Sequence, residues 1–189
     1  MSQIVLVGDS IRMGYEPVVR RELSATVDIC SPKDNGGNSA NVLEHLDEWI
    51  ISKKPDLVHL NCGLHDLKRP FDADENAIPL QQYELNLDTI LTRICQETDA
   101  RLVFATTTPV NQGWHHDNKP FDRFEADVVA YNAVALRLAK SHGVTVNDLY
   151  ALVEKQGPDS LLLPDGVHYS PEGYEILGLT VAEVIRANL

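Results

Sequence analysis

The chain has 189 residues, with 16 Lys and Arg against 28 Asp and Glu, a formal charge of −12. That balance argues against a nucleic-acid binder, whose surface must neutralise phosphates, and equally against a polybasic membrane anchor. An apolar fraction of 43% is that of a globular domain, and the length suits one domain over residues 1–189 with a core that needs no disulfide staples.

The first element is Ile4-Val5-Leu6-Val7, a continuous apolar run that reads as a strand buried on both faces. It ends at Gly8-Asp9-Ser10. Gly8 permits a tight turn, and a Ser there is presented at the carboxyl edge of a sheet. The same residues also suit a plain helix cap, with Asp9 or Ser10 as the capping side chain. Ala25–Cys30 is the second strand. Val42, Leu43, Leu46, Trp49 and Ile50 then fall on one face of a helix.

Leu57–Cys62 reads as the third strand and runs into Gly63-Leu64-His65-Asp66. Gly63 lets the backbone approach a ligand, and His65 offers a donor at the same edge; in the bland reading Asp66 caps a turn and His65 is solvated. Lys68–Pro79 is irregular. Tyr83, Leu87, Ile90, Leu91 and Ile94 form the next helical face, followed by a strand at Arg101–Thr106 and a second irregular stretch, Thr107–Pro120. Long loops in a compact domain are usually functional or disordered. Phe124, Val128, Tyr131, Ala135 and Leu138 repeat the helical spacing, and Val144–Val146 is the fifth strand. Asp165-Gly166-Val167-His168 precedes the final helix, whose start is marked by Ser170, Pro171 and Glu172. That helix buries Tyr174, Leu177, Val181 and Ile185.

Alternating strands and helices predict a three-layer α/β/α sandwich, flavodoxin-like, around a five-stranded parallel sheet. The residues after its strands then share the carboxyl edge, where open α/β sheets bind ligands. Cys30, Cys62 and Cys95 are too widely spaced for a disulfide framework or zinc site. The amino-terminal residues predict no cleaved leader, no stretch reaches the roughly 20 apolar residues of a membrane span, and a cytoplasmic protein is the expectation.

A hydroxyl, a carboxylate and an imidazole thus gather at one edge in the order Ser10, Asp165, His168. That is the inventory of nucleophilic acyl transfer. Ser10 needs a base, and His168 is the candidate. The imidazole needs an orienting anion, and an acid three residues earlier with Gly between can fold back onto Nδ1. The alternative is a surface turn. The oxyanion needs donors: the Ser10 amide, an amide in the loop after the second strand, and His65.

On these residues the chain resembles the SGNH (GDSL-type) hydrolases. Gly8-Asp9-Ser10 matches their first block, and Asp165 with His168 matches their last. In the second block, Ala40 of Asn35-Gly36-Gly37-Asn38-Ser39-Ala40 stands at the family's oxyanion glycine, with Gly37 as the alternative register. In the third block, His65 replaces the family's Asn; a neutral imidazole can donate one hydrogen bond as the amide does. The resemblance implies an esterase, thioesterase or lipase-like hydrolase acting on small-molecule acyl esters, short-chain or carbohydrate acetyl esters foremost, without metal or organic cofactor. Asp9, Gly63, Trp114 and His115 are expected near the substrate. Arg12, Lys68 and Arg69 either contact an anionic substrate group or are solvated charges. The rival reading is a flavodoxin-like binding module or a fold that has lost its chemistry, although no phosphate-cradling GxGxxG or GxxxxGK[ST] motif occurs.

Overall fold

The computed structural model describes residues 1–189. Five strands, β1 (Ser2–Val7), β2 (Val27–Cys30), β3 (Leu57–Leu60), β5 (Arg101–Ala105) and β7 (Thr145–Asn147), form one parallel sheet in the order β2-β1-β3-β5-β7. Two short strands, β4 (Arg69–Pro70) and β6 (Phe121–Asp122), pair antiparallel outside it. The sheet's inner strands are sealed on both faces: Ile4 to Val7 and Leu57, Val58 and Leu60 are fully buried. This is why β1 reads as an unbroken apolar run.

Helices α1 (Ser10–Leu23) and α9 (Pro171–Ala187) pack together, and α2 (Ser39–Glu44), α4 (Leu80–Glu97) and α6 (Glu125–His142) pack as a second group. The predicted three-layer architecture and five-stranded parallel sheet are observed. The remaining helices are short: α3 (Leu46–Trp49), α5 (Gln112–Asn118), α7 (Leu149–Gln156) and α8 (Pro158–Leu161). No helix is long and apolar enough to cross a membrane.

Three details differ from the sequence reading. The helix expected to run through Val42–Ile50 breaks at His45, whose φ of −98° and ψ of 10° end α2 and begin α3. The stretch expected as loop at Thr107–Pro120 contains α5, capped by Asn111, whose side chain accepts from the Trp114 amide at 3.0 Å. A helix whose single buried residue is His115 has no apolar stripe to betray it. Finally, α7 and α8 fill the connection between β7 and the final block.

The strand order reverses beside β1: β2 lies on one side and β3 on the other. Ligand sites of open α/β sheets form at that switch, outside the carboxyl ends of the strands. Gly8-Asp9-Ser10 follows β1 there, and Asn61–Asp66 follows β3.

Candidate active site

Ser10 is the first residue of α1, and Asp9 is its cap: Asp9 Oδ1 accepts from the Ile11 amide at 2.8 Å. The capping reading of this motif is therefore true of Asp9, and it leaves Ser10 free. The Ser10 hydroxyl lies 2.9 Å from His168 Nε2, although the two are 158 positions apart in the chain. On the far side of the ring, Asp165 Oδ2 faces Nδ1 at 2.6 Å. The other carboxylate oxygen accepts from the amides of Val167 at 3.2 Å and His168 at 2.9 Å. The four-residue turn folds back as its spacing suggests, with Gly166 at φ 70°. Because an ionised carboxylate only accepts, Nδ1 carries the proton and Nε2 is left to accept from the serine hydroxyl.

The carboxyl of Asp165 is held well below the usual carboxylate range. Burial pushes it up, but hydrogen bonds from the His168 ring and amide, from Lys119 and from the Val167 amide outweigh that. Lys119 Nζ pairs with Oδ2 at 3.0 Å. Asp9 is the opposite case. It is 1% exposed, burial raises its pKa, and its Oδ2 has no protein partner.

The loop after β2 is laced to the nucleophile's turn. The Gly36 amide donates to the Gly8 carbonyl at 2.9 Å. Gly37, at φ 68°, gives its amide to Asn35 Oδ1 at 2.8 Å, and Ala40 is exposed in the first turn of α2. Ser39, between them in the chain, is fully buried: its amide lies 3.0 Å from each oxygen of Asp66, its hydroxyl donates to the same carboxylate, and its Oγ accepts from Asn86 Nδ2 at 2.9 Å. Asp66 thus ties the loop after β2 to the loop after β3. Burial pushes its carboxyl up to about 7 against the hydrogen bonds of Ser39.

His65 is partly exposed, and its ring makes no hydrogen bond to the protein. Burial, together with the charges of Lys68, Arg123 and His168, holds it down at about 3. It is a neutral imidazole with a free donor. The loop that carries it is pinned by Arg123, 4% exposed, whose Nε donates to the Leu64 carbonyl at 2.7 Å and whose Nη1 donates to His115 Nε2 at 2.7 Å.

Of the residues expected at the substrate, Trp114 alone is exposed. Asp9, Gly63 and His115 are buried, which corrects their placement on the pocket surface. Asp9 is occupied as a cap, Gly63 packs under Thr107 with φ 153°, and His115 is an acceptor for Arg123. Lys119, Arg123 and Ser39 are the site residues that sequence reasoning missed. No motif marks them, since each acts through a partner distant in the chain. No group of three or more His, Cys, Asp or Glu side chains is arranged to hold a metal ion. A surface depression of about 640 Å³ around Ser2, Asp56, Arg101 and Asn188 lies at the opposite, amino edge of the sheet.

A hydroxyl hydrogen-bonded to an imidazole that a carboxylate orients can deliver a nucleophilic oxygen and recycle its proton. Comparison with known proteins gives the family and the fold. The model of the GDSL-like Lipase/Acylhydrolase family matches residues 6–176. The chain is 25% identical over 201 residues to the isoamyl acetate-hydrolyzing esterase 1 homolog of Mus musculus, across 97% of this chain and 81% of that protein. The structure resembles that of the lipase/acylhydrolase from Enterococcus faecalis, with a TM-score of 0.84 and 26% identity over 100% of this chain and 97% of the other. The acetyl xylan esterase AlAXEase shares the fold, with a TM-score of 0.77 at 17% identity over 97% of this chain and 99% of that one.

Proposed function

The chain belongs to the GDSL-like lipase/acylhydrolase family, and we propose that it is a serine hydrolase that cleaves acyl esters through an acyl-enzyme on Ser10. The observation that carries this reading is the continuous chain Ser10 Oγ, His168 Nε2, His168 Nδ1, Asp165 Oδ2, with links of 2.9 and 2.6 Å at its two ends.

In the first half-reaction Ser10 Oγ bonds to the ester carbonyl carbon as its proton passes to His168 Nε2. The carbonyl oxygen becomes an oxyanion. Collapse of the tetrahedral intermediate breaks the bond to the alkoxy oxygen, which takes the proton from His168 and leaves as the alcohol. In the second half-reaction water gives a proton to Nε2 and adds to the acyl carbon; Ser10 Oγ leaves and recovers that proton, releasing the carboxylic acid. Asp165 stabilises the imidazolium in both halves without taking its proton.

The Ser10 amide sits at the positive end of α1, and the unbonded, neutral ring of His65 supplies a side-chain donor beside it. An amide of the loop 35–40 completes the set, that of Ala40, since the Gly37 amide is given to Asn35 Oδ1. Short-chain acyl esters and carbohydrate acetyl esters are the substrate class this reading favours, in keeping with the mouse relative's name as an isoamyl acetate-hydrolyzing esterase homolog. Purified protein is expected to release nitrophenol from para-nitrophenyl acetate, and Ser10→Ala to cut kcat by roughly 10⁴. Equal turnover by the two proteins would reject Ser10 as nucleophile.

A further inference from the structure

Three cations were candidates for contact with an anionic substrate group, and two of them are already engaged. Arg12 is buried, pairs with Glu16 and donates to the carbonyls of Pro32 at 3.2 Å and Asp34 at 3.1 Å. Arg69 pairs with Asp127 at 2.8 Å. Lys68 has no carboxylate partner; its ammonium lies over the Phe121 ring, 5.0 Å from the centroid.

A second cation meets the same ring. The guanidinium carbon of Arg123 is 5.0 Å from the centroid of Phe121. The cause is the small β4/β6 ladder, in which Arg69 pairs with Asp122 and Pro70 with Phe121. One further step of that antiparallel register sets Lys68 opposite Arg123, on the face that Phe121 shares. Like charges directly opposite one another destabilise a strand pair, so folding alone does not favour this arrangement.

Neither cation makes an ion pair with a carboxylate of the protein. Arg123 is almost fully buried, and the acceptors it has, the Leu64 carbonyl and His115 Nε2, are both neutral. Burying a cation without an anion is costly. The carboxylates whose charge bears on Arg123 are Asp9 and Asp165. Asp9 caps α1 through Oδ1 and Asp165 is shared between His168 and Lys119, and neither is hydrogen-bonded to Arg123. Burial pushes Arg123 down to about 10 against the opposing charges of Asp9 and Asp165, and burial with the charge of Arg123 lowers Lys68 against that of Asp9. The charges of both also reach His65. In a chain with 28 acidic residues, two cations meet at one ring, beside the loop that carries His65, and neither is hydrogen-bonded to a carboxylate.

We propose that Lys68 and Arg123 together receive an anionic group carried by the substrate, a carboxylate or phosphate, so that the enzyme selects anionic esters. Arg123 offers a rigid fork fixed by its two neutral acceptors, and Lys68 adds a mobile charge from the rim. This rests on the hydrolase reading and sharpens it: the anion is the hydrogen-bonded partner that neither cation has within the fold.

The test is kinetic, on two matched substrate pairs. One carries the carboxylate on the alcohol side, para-acetoxybenzoate against its methyl ester. The other carries it on the acyl side, mono-para-nitrophenyl adipate against the corresponding methyl-capped diester. With each rate divided by that of hydroxide, wild-type kcat/KM favours the anionic member of at least one pair by about tenfold, the scale of one charge-assisted hydrogen bond. Raising the ionic strength shrinks that preference. Lys68→Met and Lys68→Glu lower it progressively, and Lys68→Arg preserves it. Lys68 is chosen because it lies at the rim, whereas truncating the buried Arg123 endangers folding. A ratio near one in both pairs, or one that Lys68→Glu does not change, overturns the proposal while turnover of the neutral esters keeps the hydrolase standing. A Ser10 that a fluorophosphonate fails to label overturns both.

Discussion

Lys119 Nζ lies 3.0 Å from Oδ2 of Asp165, the same oxygen that faces His168 Nδ1. The acid that orients the base is therefore shared with a fixed cation. A shared carboxylate stabilises the imidazolium less than an unshared one. Removing the ammonium in Lys119→Met leaves that oxygen to the ring alone, so the imidazolium formed during the reaction is better stabilised. kcat/KM is expected to rise about three- to tenfold, with Lys119→Arg close to wild type. A kcat/KM that Lys119→Met leaves unchanged would show that the ammonium is a bystander.

His65 is expected to act as a neutral donor. Its ring is held down at about 3, by burial first and then by the charges of Lys68, Arg123 and His168. It therefore does not titrate in the working range. His65→Ala should cost about 10²–10³ in kcat, the scale of one lost oxyanion donor, and His65→Asn less. The ratio of wild type to His65→Asn should be flat from about pH 5 to 9; an inflection near the ordinary histidine value of about 6.5 would show that the ring gains charge.

The Ser39–Asp66 link predicts a stability effect with a definite pH sign. Asp66 sits at about 7 in the folded chain, raised by burial and opposed by the Ser39 hydrogen bonds. The folded state thus holds this proton more tightly than the unfolded one, and the group's contribution to stability falls as pH rises from about 4 through 7. Ser39→Ala removes a donor to the ionised form and leaves Asn86 Nδ2 without its acceptor. It should cost about 1–3 kcal/mol, and the drop in Tm should be larger at pH 8 than at pH 5. Equal losses at both pH values would place the carboxyl's titration elsewhere.

Gly166 holds the turn that joins Asp165 to His168. At φ 70°, a Cβ there would stand 2.4 Å from the Asn111 carbonyl oxygen and 2.7 Å from the His115 amide nitrogen. Both are backbone atoms, so the loop and α5 must move apart. Gly166→Ala is expected to lose more than about 1 kcal/mol of stability, from the left-handed backbone alone, and to lower kcat through a displaced acid and base. Thermal melting and steady-state kinetics check this; a variant matching wild type in both would show that the turn is pliable.

How much of this was legible in the sequence depends on the range over which each residue acts. β1 was readable because a strand buried on both faces is apolar without interruption, and its end at Gly8 located Ser10. The return of Asp165 to His168 was readable because a carboxyl, a glycine and an imidazole within four positions can close a turn unaided. α5 was hidden because it buries only His115, and β4 and β6 are too short to show a period. Arg123, Lys119 and Ser39 were hidden for a different reason. Their partners, Leu64, Asp165 and Asp66, lie across the tertiary fold, and neither spacing nor motif records such a meeting. His115 looked like a substrate neighbour because it sits in a Trp- and His-rich stretch; the fold turns it inward to Arg123.

The central claim is that Ser10 is the nucleophile that His168 activates. Incubation of the full chain with a fluorophosphonate, followed by peptide mass spectrometry, tests it most directly. The account predicts one phosphonyl adduct per chain, on Ser10, lost in Ser10→Ala and greatly slowed in His168→Ala. An unmodified Ser10 in folded protein, or an adduct at another residue that persists in Ser10→Ala, would contradict it.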